Sequence, residues 1–531
     1  MVEVHGVSKN GVLVAPHAAA AEAGAEVLRA GGSAVEAMVA AAATIAVVYP
    51  HMNGIGGDGF WIIAEPGRPP VAIEGCGPAG AKATIAAYNE AGHDQVPSRG
   101  PLAALTVPGT VGGWKLALEL AEPLGSGMPL RDLLAQAAAA AKDGITVSRS
   151  QAALTAEKLD ELKPQPGFAD VFLVDGKAPD EDARLTQPKL ADTLDHLGRA
   201  GLGDFYRGDV GATLARDLDR MGSPVTEVDI RGFEARRSRP LSVKIKGATL
   251  FNTPPPTQGL AALLILAIFD RLGVERGEGF DHVHGIVEAT KRAFLIRNAV
   301  VTDPRLEAPD VAPFLSEASI RREVAAIDMK RAAPWPDPSE PGDTIWMGAI
   351  DRNGVAVSFI QSVFWEFGSG AVSPGTGVLL QNRGSSFSLR PGALNALRPG
   401  RRPFHTLNPA LARFDDGRVL SYGSMGGDGQ PQFQAQLFTR MVQFGVDMAE
   451  AVALPRWLLG KTWGSDSSSL KVEHHFDTSV VEQLSRAGHF IEVVPAAGSD
   501  NFGHAGAVRW RPGGDIEGVH DPRADGGAGR G

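Results

Sequence analysis

The chain has 531 residues, with 51 Lys+Arg against 61 Asp+Glu and a formal net charge of −10. That length allows roughly two to four domain-sized units, or one large α/β domain with insertions. The acidic balance argues against a binder of phosphate backbones, which needs a clustered basic face. Its one cysteine, Cys76, excludes an internal disulfide and any zinc site built from several thiolates.

Residues 1–16 alternate apolar and polar side chains and lack both a charged n-region and an uninterrupted apolar core, so a cytoplasmic enzyme is the expectation. The most apolar stretch, Ala34 to Tyr49, contains Glu36, runs into Pro50 and is too short to span a bilayer. The first 15 residues read as strand, hairpin and strand. A helix follows from His17 and stops at Gly31-Gly32, where a C-cap is expected. A second alanine-rich helix runs from Ser33, its expected N-cap, to Val48, and both should stack directly on a sheet. Further helices are expected at 113–120, 131–141, 258–272 and 282–297.

Two stretches read as punctuation. The tail Asp521 to Gly531 is rich in glycine and charge and reads as disordered. Residues 331–343, RAAPWPDPSEPGD, hold Pro334, Pro336, Pro338 and Pro341, which excludes helix or central strand and predicts an exposed linker. That linker feeds straight into the apolar runs Thr344 to Ile350 and Val355 to Phe364. Asn353-Gly354 between them is a strong hairpin signal.

Several motifs have bland readings. Gly54-x-Gly56-x-x-Gly59 matches a dinucleotide fingerprint, but it follows a helix and precedes a strand, so a tight turn is the better reading. Glu473, His474 and His475 lack a third ligand at metal spacing, and Cys76 between two glycines reads as packing. Gly423 to Gly427, GSMGG, stands between an apolar run and a helix predicted from about Pro431 to Gly445. There, peptide N–H groups could meet developing negative charge.

Read in order, the segments resemble the γ-glutamyltranspeptidase family of N-terminal nucleophile hydrolases. The likeness begins with EAGAEVLRAGGSAVEAMVAAAATIAVVYPHMNGIGGDGF (Glu22 to Phe60) and continues through VPGTVGGW, FYRG, PPPTQG and HVHGIVEATKRAF. It ends with DTIWMGAIDRNGVAVSFIQSVFWEFGSG, GSMGGDGQPQ and DPR. The resemblance implies an α+β fold, a four-layer αββα sandwich. It also implies a precursor that cuts itself between Asp343 and Thr344. Residues 1–343 would then be the large subunit and 344–531 the small subunit, both contributing to one domain as a heterodimer, with further dimerisation left open. Thr344 would be the nucleophile, its freed α-amine the general base, Gly426 and Gly427 the oxyanion glycines, and Ser362 the hydroxyl that bonds the nucleophile. No cofactor, metal, nucleic acid or membrane is called for.

The chain departs from that family where γ-glutamyl enzymes grip glutamate. No arginine lies between Arg68 and Arg99, where the family's carboxylate-binding arginine belongs. His405-Thr406 replaces a serine pair, and Phe364, Arg383 and Ser386 replace the set that binds the amine. Arg383, with His405 and Thr406, would suit a substrate carboxylate instead. The segment around Asn382, Arg383 and Ser386 (QNRGSSFS), with RRPFHTLNPAL, resembles the oxamate amidohydrolase branch. Oxamate, split to oxalate and ammonia, is therefore the expected substrate. A γ-glutamyltransferase or glutathione hydrolase, or a glutaryl-cephalosporin acylase-like amidase, is the alternative.

Overall fold

The computed structural model describes residues 3–124, 127–306, 308–335, 343–461, 467–495 and 500–531. Two seven-stranded sheets carry the architecture. The first runs Gly527–Arg530, Gly11–Ala15, Asp343–Asp351, Ala356–Phe364, Asp58–Ala64, Val71–Gly75 and Arg236–Ser238. The second runs His5–Ser8, Ile516–His520, Ala505–Trp510, Val419–Ser424, Ala410–Phe414, Ala248–Asn252 and Leu241–Ile245. Every neighbouring pair in both is antiparallel.

Strand alternation decides how the sheets stack. Along the Asp343–Asp351 strand, Ile345, Met347 and Ala349 pack with the alanine-rich helices, whereas Trp346 and Ile350 pack against the second sheet. The neighbouring strand repeats the pattern: Val357 and Phe359 face the helices, Ala356 and Ile360 the other sheet. Period-two burial on both faces is what a sheet sandwiched between two apolar layers requires. On the far side, helices Gly259–Leu272, Phe280–Val300 and Gln430–Phe438 share a core with Leu250, Ala412, Leu420 and Tyr422 of the second sheet. The order is therefore helix, sheet, sheet, helix: the expected αββα sandwich.

Helix Ala34–Val48 is buried at every position. Ser33 caps it reciprocally with Glu36, accepting from Glu36 N while Glu36 accepts from Ser33 N at 2.7 Å. The first helix is Ala18–Arg29, and the others expected lie at Thr110–Ala121, Leu130–Asp143, Gly259–Leu272 and Phe280–Val300, within a few residues of their expected ends. The helix after the glycine turn is Gln430–Phe438, continued by a wider turn to Gln443. Among the described residues no helix is long and apolar enough to cross a membrane.

Two expectations are corrected. The strands at the N-terminus do not form a hairpin: His5–Ser8 pairs with Ile516–His520 in the second sheet, while Gly11–Ala15 pairs in the first. The short turn between them carries the chain from one layer to the other. The tail is ordered, with Gly527–Arg530 forming an edge strand on Gly11–Ala15. Its glycines serve close approach, because a Cβ on Gly529 would stand 2.2 Å from Ala21 O of the first helix. Of the proline run, residues 336–342 lie outside the described residues.

Candidate active site

Parity places three polar side chains in one row. Thr344, Ser362 and Asp58 stand at the same end of three adjacent strands, on the side that carries Trp346, Ile360 and Phe60 into the space between the sheets. Ser362 is the direct cross-strand partner of Asp58. The ladder shifts register between Asp343 and Ile345, so Thr344 occupies an irregularity that frees it from regular pairing. Thr344 Oγ1 donates to Ser362 Oγ at 3.3 Å and accepts from Gln430 Nε2 at 3.5 Å. Ser362 Oγ also accepts from Phe364 N at 2.7 Å, holding that residue at φ +85, a backbone region a phenylalanine rarely takes.

The second sheet supplies the glycine turn. The ladder of Val419–Ser424 ends as Met425 N bonds His504 O at 3.2 Å, and Gly426 and Gly427 then take φ +116 and +52. Two consecutive positive-φ glycines take the chain out of the ladder and into a helix start, where the first peptide N–H groups have no intrahelical partner. The turn leads into Gln430, the first residue of its helix, which reaches back to Thr344.

Arg383 lies beside this row. Phe364 is opposite Asp343 in register, and the Arg383 guanidinium sits 3.6 Å from its ring centroid. Arg383 Nη2 donates to Thr406 Oγ1 at 3.0 Å, and the side chain is 1% exposed. His405, fully buried, presents its ring to the edge of Phe60 and places Nε2 3.1 Å from Asp58 Oδ2. That approach is off the hydrogen-bonding direction, so Asp58 Oδ2 and both His405 ring nitrogens have no hydrogen-bond partner among the described residues. Asp58 Oδ1 accepts from Gly109 N at 3.0 Å, Gln381 Nε2 at 3.1 Å and Gly77 N at 3.4 Å. Burial pushes the Asp58 carboxyl up to about 7, against the opposing pull of the Gln381 bond and the Arg383 charge. Burial, reinforced by the Arg383 and Arg402 charges, holds the His405 imidazole well below its ordinary value, hence neutral.

The remaining candidates from the sequence are placed differently. Asn382 donates to Ser98 O at 2.8 Å and accepts from Trp365 N at 3.1 Å, so its amide braces the loop beyond Ser362. Ser386 donates to the Arg383 and Phe404 carbonyls, at 3.0 and 3.1 Å, and fastens the turn that carries the arginine. Cys76 is buried and accepts from Arg402 Nη1 at 3.9 Å; burial pushes its thiol up against that charge, so it stays neutral. Glu473 is taken by Arg523 and by Arg456 N, while His474 and His475 sit in an exposed turn.

Sequence reading did not single out the groups that tie these pieces together. Gln258 Nε2 donates to Thr406 O at 2.7 Å and Gly427 O at 2.9 Å, joining the Arg383 side of the site to the glycine turn. Arg297 holds Gln258 Oε1 at 2.8 Å and Asp428 Oδ1 at 2.7 Å. Asn408 donates to Gln430 Oε1 at 3.0 Å and so orients the amide facing Thr344. Asp58, Gln258 and Gln430 all lie inside the segments GIGGDGF, PPPTQG and GSMGGDGQPQ, which carried the resemblance. A buried trio elsewhere, His284, Glu288 and His489, has metal-like spacing. There Glu288 Oε1 pairs with Lys291 Nζ at 2.7 Å, and the two histidines bond each other at 2.8 Å.

Comparison with known proteins agrees with this geometry. The gamma-glutamyltranspeptidase family profile matches residues 20–530. The chain is 52% identical to the oxamate amidohydrolase proenzyme of Klebsiella pneumoniae over 98% of each chain. It is 37% identical to a glutathione hydrolase-like proenzyme of Bacillus subtilis over 97% of this chain and 98% of that one. Among solved structures, cephalosporin acylase from Bacillus halodurans superposes with a TM-score of 0.90 at 31% identity, covering 99% of this chain and 97% of that one. This chain belongs to the gamma-glutamyltranspeptidase family.

Proposed function

We propose that the protein is a self-processing amidohydrolase that cuts itself between Asp343 and Thr344 and then hydrolyses oxamate to oxalate and ammonia. In the first reaction Thr344 Oγ1 attacks the Asp343 carbonyl carbon, the C–N bond of the peptide breaks, and the acyl group moves to oxygen. Water resolves the ester, leaving the Asp343 carboxylate and a Thr344 hydroxyl beside its own free amine. That amine has an ordinary pKa of about 7.7–8.0, so near neutral pH a useful fraction accepts the hydroxyl proton in the next attack. The Gly426–Gly427 turn is the stabiliser of the tetrahedral oxyanion; donors of this kind are worth about 2.7–4 kcal/mol each. Ser362 and Gln430 aim the hydroxyl. The two fragments stay together as a heterodimer in the cytoplasm.

The observation that carries the substrate reading is Arg383, buried, bonded to Thr406 and stacked on Phe364, the residue that pairs with Asp343 across the ladder. A guanidinium in that place suits a small carboxylate. It would repel the α-ammonium of a γ-glutamyl group by about 4 kcal/mol at 4 Å and an effective ε near 20. The 52% identity to an oxamate amidohydrolase proenzyme points the same way.

The test has two parts. Mass spectrometry of the small fragment should find Thr344 at its N-terminus, and Thr344→Ala should remain one uncut, inactive chain. The cut wild type should release ammonia from oxamate and leave γ-glutamyl-p-nitroanilide untouched. Turnover of the anilide alone would overturn the substrate, and normal cutting of Thr344→Ala would overturn the nucleophile.

A further inference from the structure

The segment HVHGIVEATKRAF carried part of the resemblance, yet the mechanism above uses none of its residues. It lies within helix Phe280–Val300, and His284, Glu288, Lys291 and Phe294 follow one another there at helical spacing. All of them meet the chain between Asp328 and Trp335. His284 Nε2 donates to Asp328 O at 2.8 Å. Lys291 Nζ donates to Ala333 O at 2.6 Å, and Glu288 Oε2 accepts from Ala333 N at 3.1 Å. The Phe294 ring lies 6.0 Å from the Trp335 ring. Next along the same helix, Arg297 bonds Asp428 beside Gly427. The chain that leads to the proposed cut therefore climbs this helix toward the glycine turn. From Trp335 to Asp343 eight residues remain, which span at most about 28 Å.

Ala333 is itself exposed, whereas the pair that grips it is buried: the Lys291 and Glu288 side chains are 4% and 2% exposed and 2.7 Å apart. A buried ion pair offsets its desolvation only when further hydrogen bonds satisfy its remaining donors and acceptors. Here each partner takes one backbone group of the same linker residue, so the pair is complete only with Ala333 in place. The small fragment adds to the hold. Ala332 N donates to Ala487 O at 2.8 Å, and His489 Nε2 lies 2.8 Å from His284 Nδ1. None of these bonds involves the peptide that is cut, ten residues further on. We propose that Glu288 and Lys291 are positioning residues for self-cutting: they clamp Ala333 by both of its backbone polar groups, before and after the cut, and so fix the length of chain that delivers the Asp343 carbonyl to Thr344. The inference rests on the cut at Asp343–Thr344 and deepens it. Hydrolysis of substrate by the cut enzyme does not use the clamp.

The experiment follows self-cutting of freshly translated full-length chain on denaturing gels, and oxamate turnover once cutting is complete. Lys291→Met should slow cutting by about tenfold or more. Lys291→Arg, which can still donate to Ala333 O and pair with Glu288, should restore most of the rate. Once cut, Lys291→Met should hydrolyse oxamate with kcat and KM within about twofold of wild type. Cutting of Lys291→Met at the wild-type rate would overturn the proposal, as would a loss of kcat as large as the loss of cutting, which means general disruption of packing. Should Lys291→Met fail to fold, Ala333→Pro decides: it removes only the N–H that Glu288 accepts, on an exposed residue, and must slow cutting as well. Hydrogen exchange reads the clamp directly. The Ala333 amide should be protected in uncut Thr344→Ala and equally in cut wild type, and rapid exchange in either refutes the idea. A small fragment that begins elsewhere than Thr344 would overturn the cut itself, a failure that mass spectrometry distinguishes from failure of the clamp.

Discussion

At the scale of single residues, Asp58 keeps an arrangement that stability alone would not favour. Its carboxyl is raised to about 7 by burial, whereas an unfolded aspartate titrates near 3.9. Between those values the folded chain binds more protons than the unfolded one, so stability falls as pH rises from about 4 to about 7. The full shift of about three units corresponds to about 4 kcal/mol as an upper limit. Asp58→Asn removes the dependence: its melting temperature should match wild type near pH 4 and exceed it above pH 7, by scanning calorimetry at one scan rate. A variant less stable than wild type at pH 8 would contradict the burial argument. Ser362 does the opposite kind of work. Its hydroxyl satisfies Phe364 N at φ +85 and accepts a hydrogen bond from the Thr344 hydroxyl. Ser362→Ala strands a buried N–H at a cost of about 1–3 kcal/mol and loosens the nucleophile. Self-cutting followed on gels should slow by about tenfold to a hundredfold, and Ser362→Thr should restore it.

At the scale of elements, the glycine turn after Val419–Ser424 tolerates no side chain. A Cβ on Gly426 would stand 2.9 Å from Phe433 Cε2, and φ +116 is a region that L side chains rarely adopt. Gly426→Ala should lower kcat for oxamate about 10²–10³-fold, the cost of losing an oxyanion donor, with KM little changed. A rise in KM with kcat unchanged would mean that the turn binds the ground state. Elements of this kind were legible in the sequence because their signals are local. Ser33 before an alanine run, Asn353-Gly354 between apolar runs, and a glycine cluster between strand and helix each fix their own neighbourhood. The site was legible through the family resemblance, which pointed to Thr344, Ser362, Arg383, His405, Thr406 and the two glycines. Asp58 meets Ser362 across a ladder, and Gln258 bridges two carbonyls far apart in sequence, so no spacing rule could find either. The tail misled for a related reason. Gly529 is small because a helix carbonyl lies where its Cβ would be, and composition cannot distinguish that from disorder.

At the scale of the whole molecule, the proposed cut at Asp343–Thr344 does not divide the sandwich into halves. In the first sheet, Gly11–Ala15 from the large fragment lies between Gly527–Arg530 and Asp343–Asp351, which belong to the small one apart from Asp343 itself. On the other side Ala356–Phe364 pairs with Asp58–Ala64. In the second sheet, His5–Ser8 closes one edge on Ile516–His520 and Ala248–Asn252 pairs with Ala410–Phe414. The layer between the sheets likewise mixes Val12, Phe60 and Ile62 with Trp346, Ile360 and Val508. Separating the fragments would therefore break main-chain ladders and expose apolar surface on every layer, at about 25 cal/mol for each Å² uncovered. Cutting should accordingly leave the fold intact. The fragments should co-elute at native gel filtration, unfold in one transition with urea, and separate only within that transition. Fragments that part before the secondary structure is lost would show that the interleaved strands do not bind them. The same interleaving ties the proposed processing to catalysis: Thr344 is bonded to Ser362 on its own fragment, and Ser362 pairs across the ladder with Asp58 from the other, so such a cut would free an amine without moving the row it belongs to.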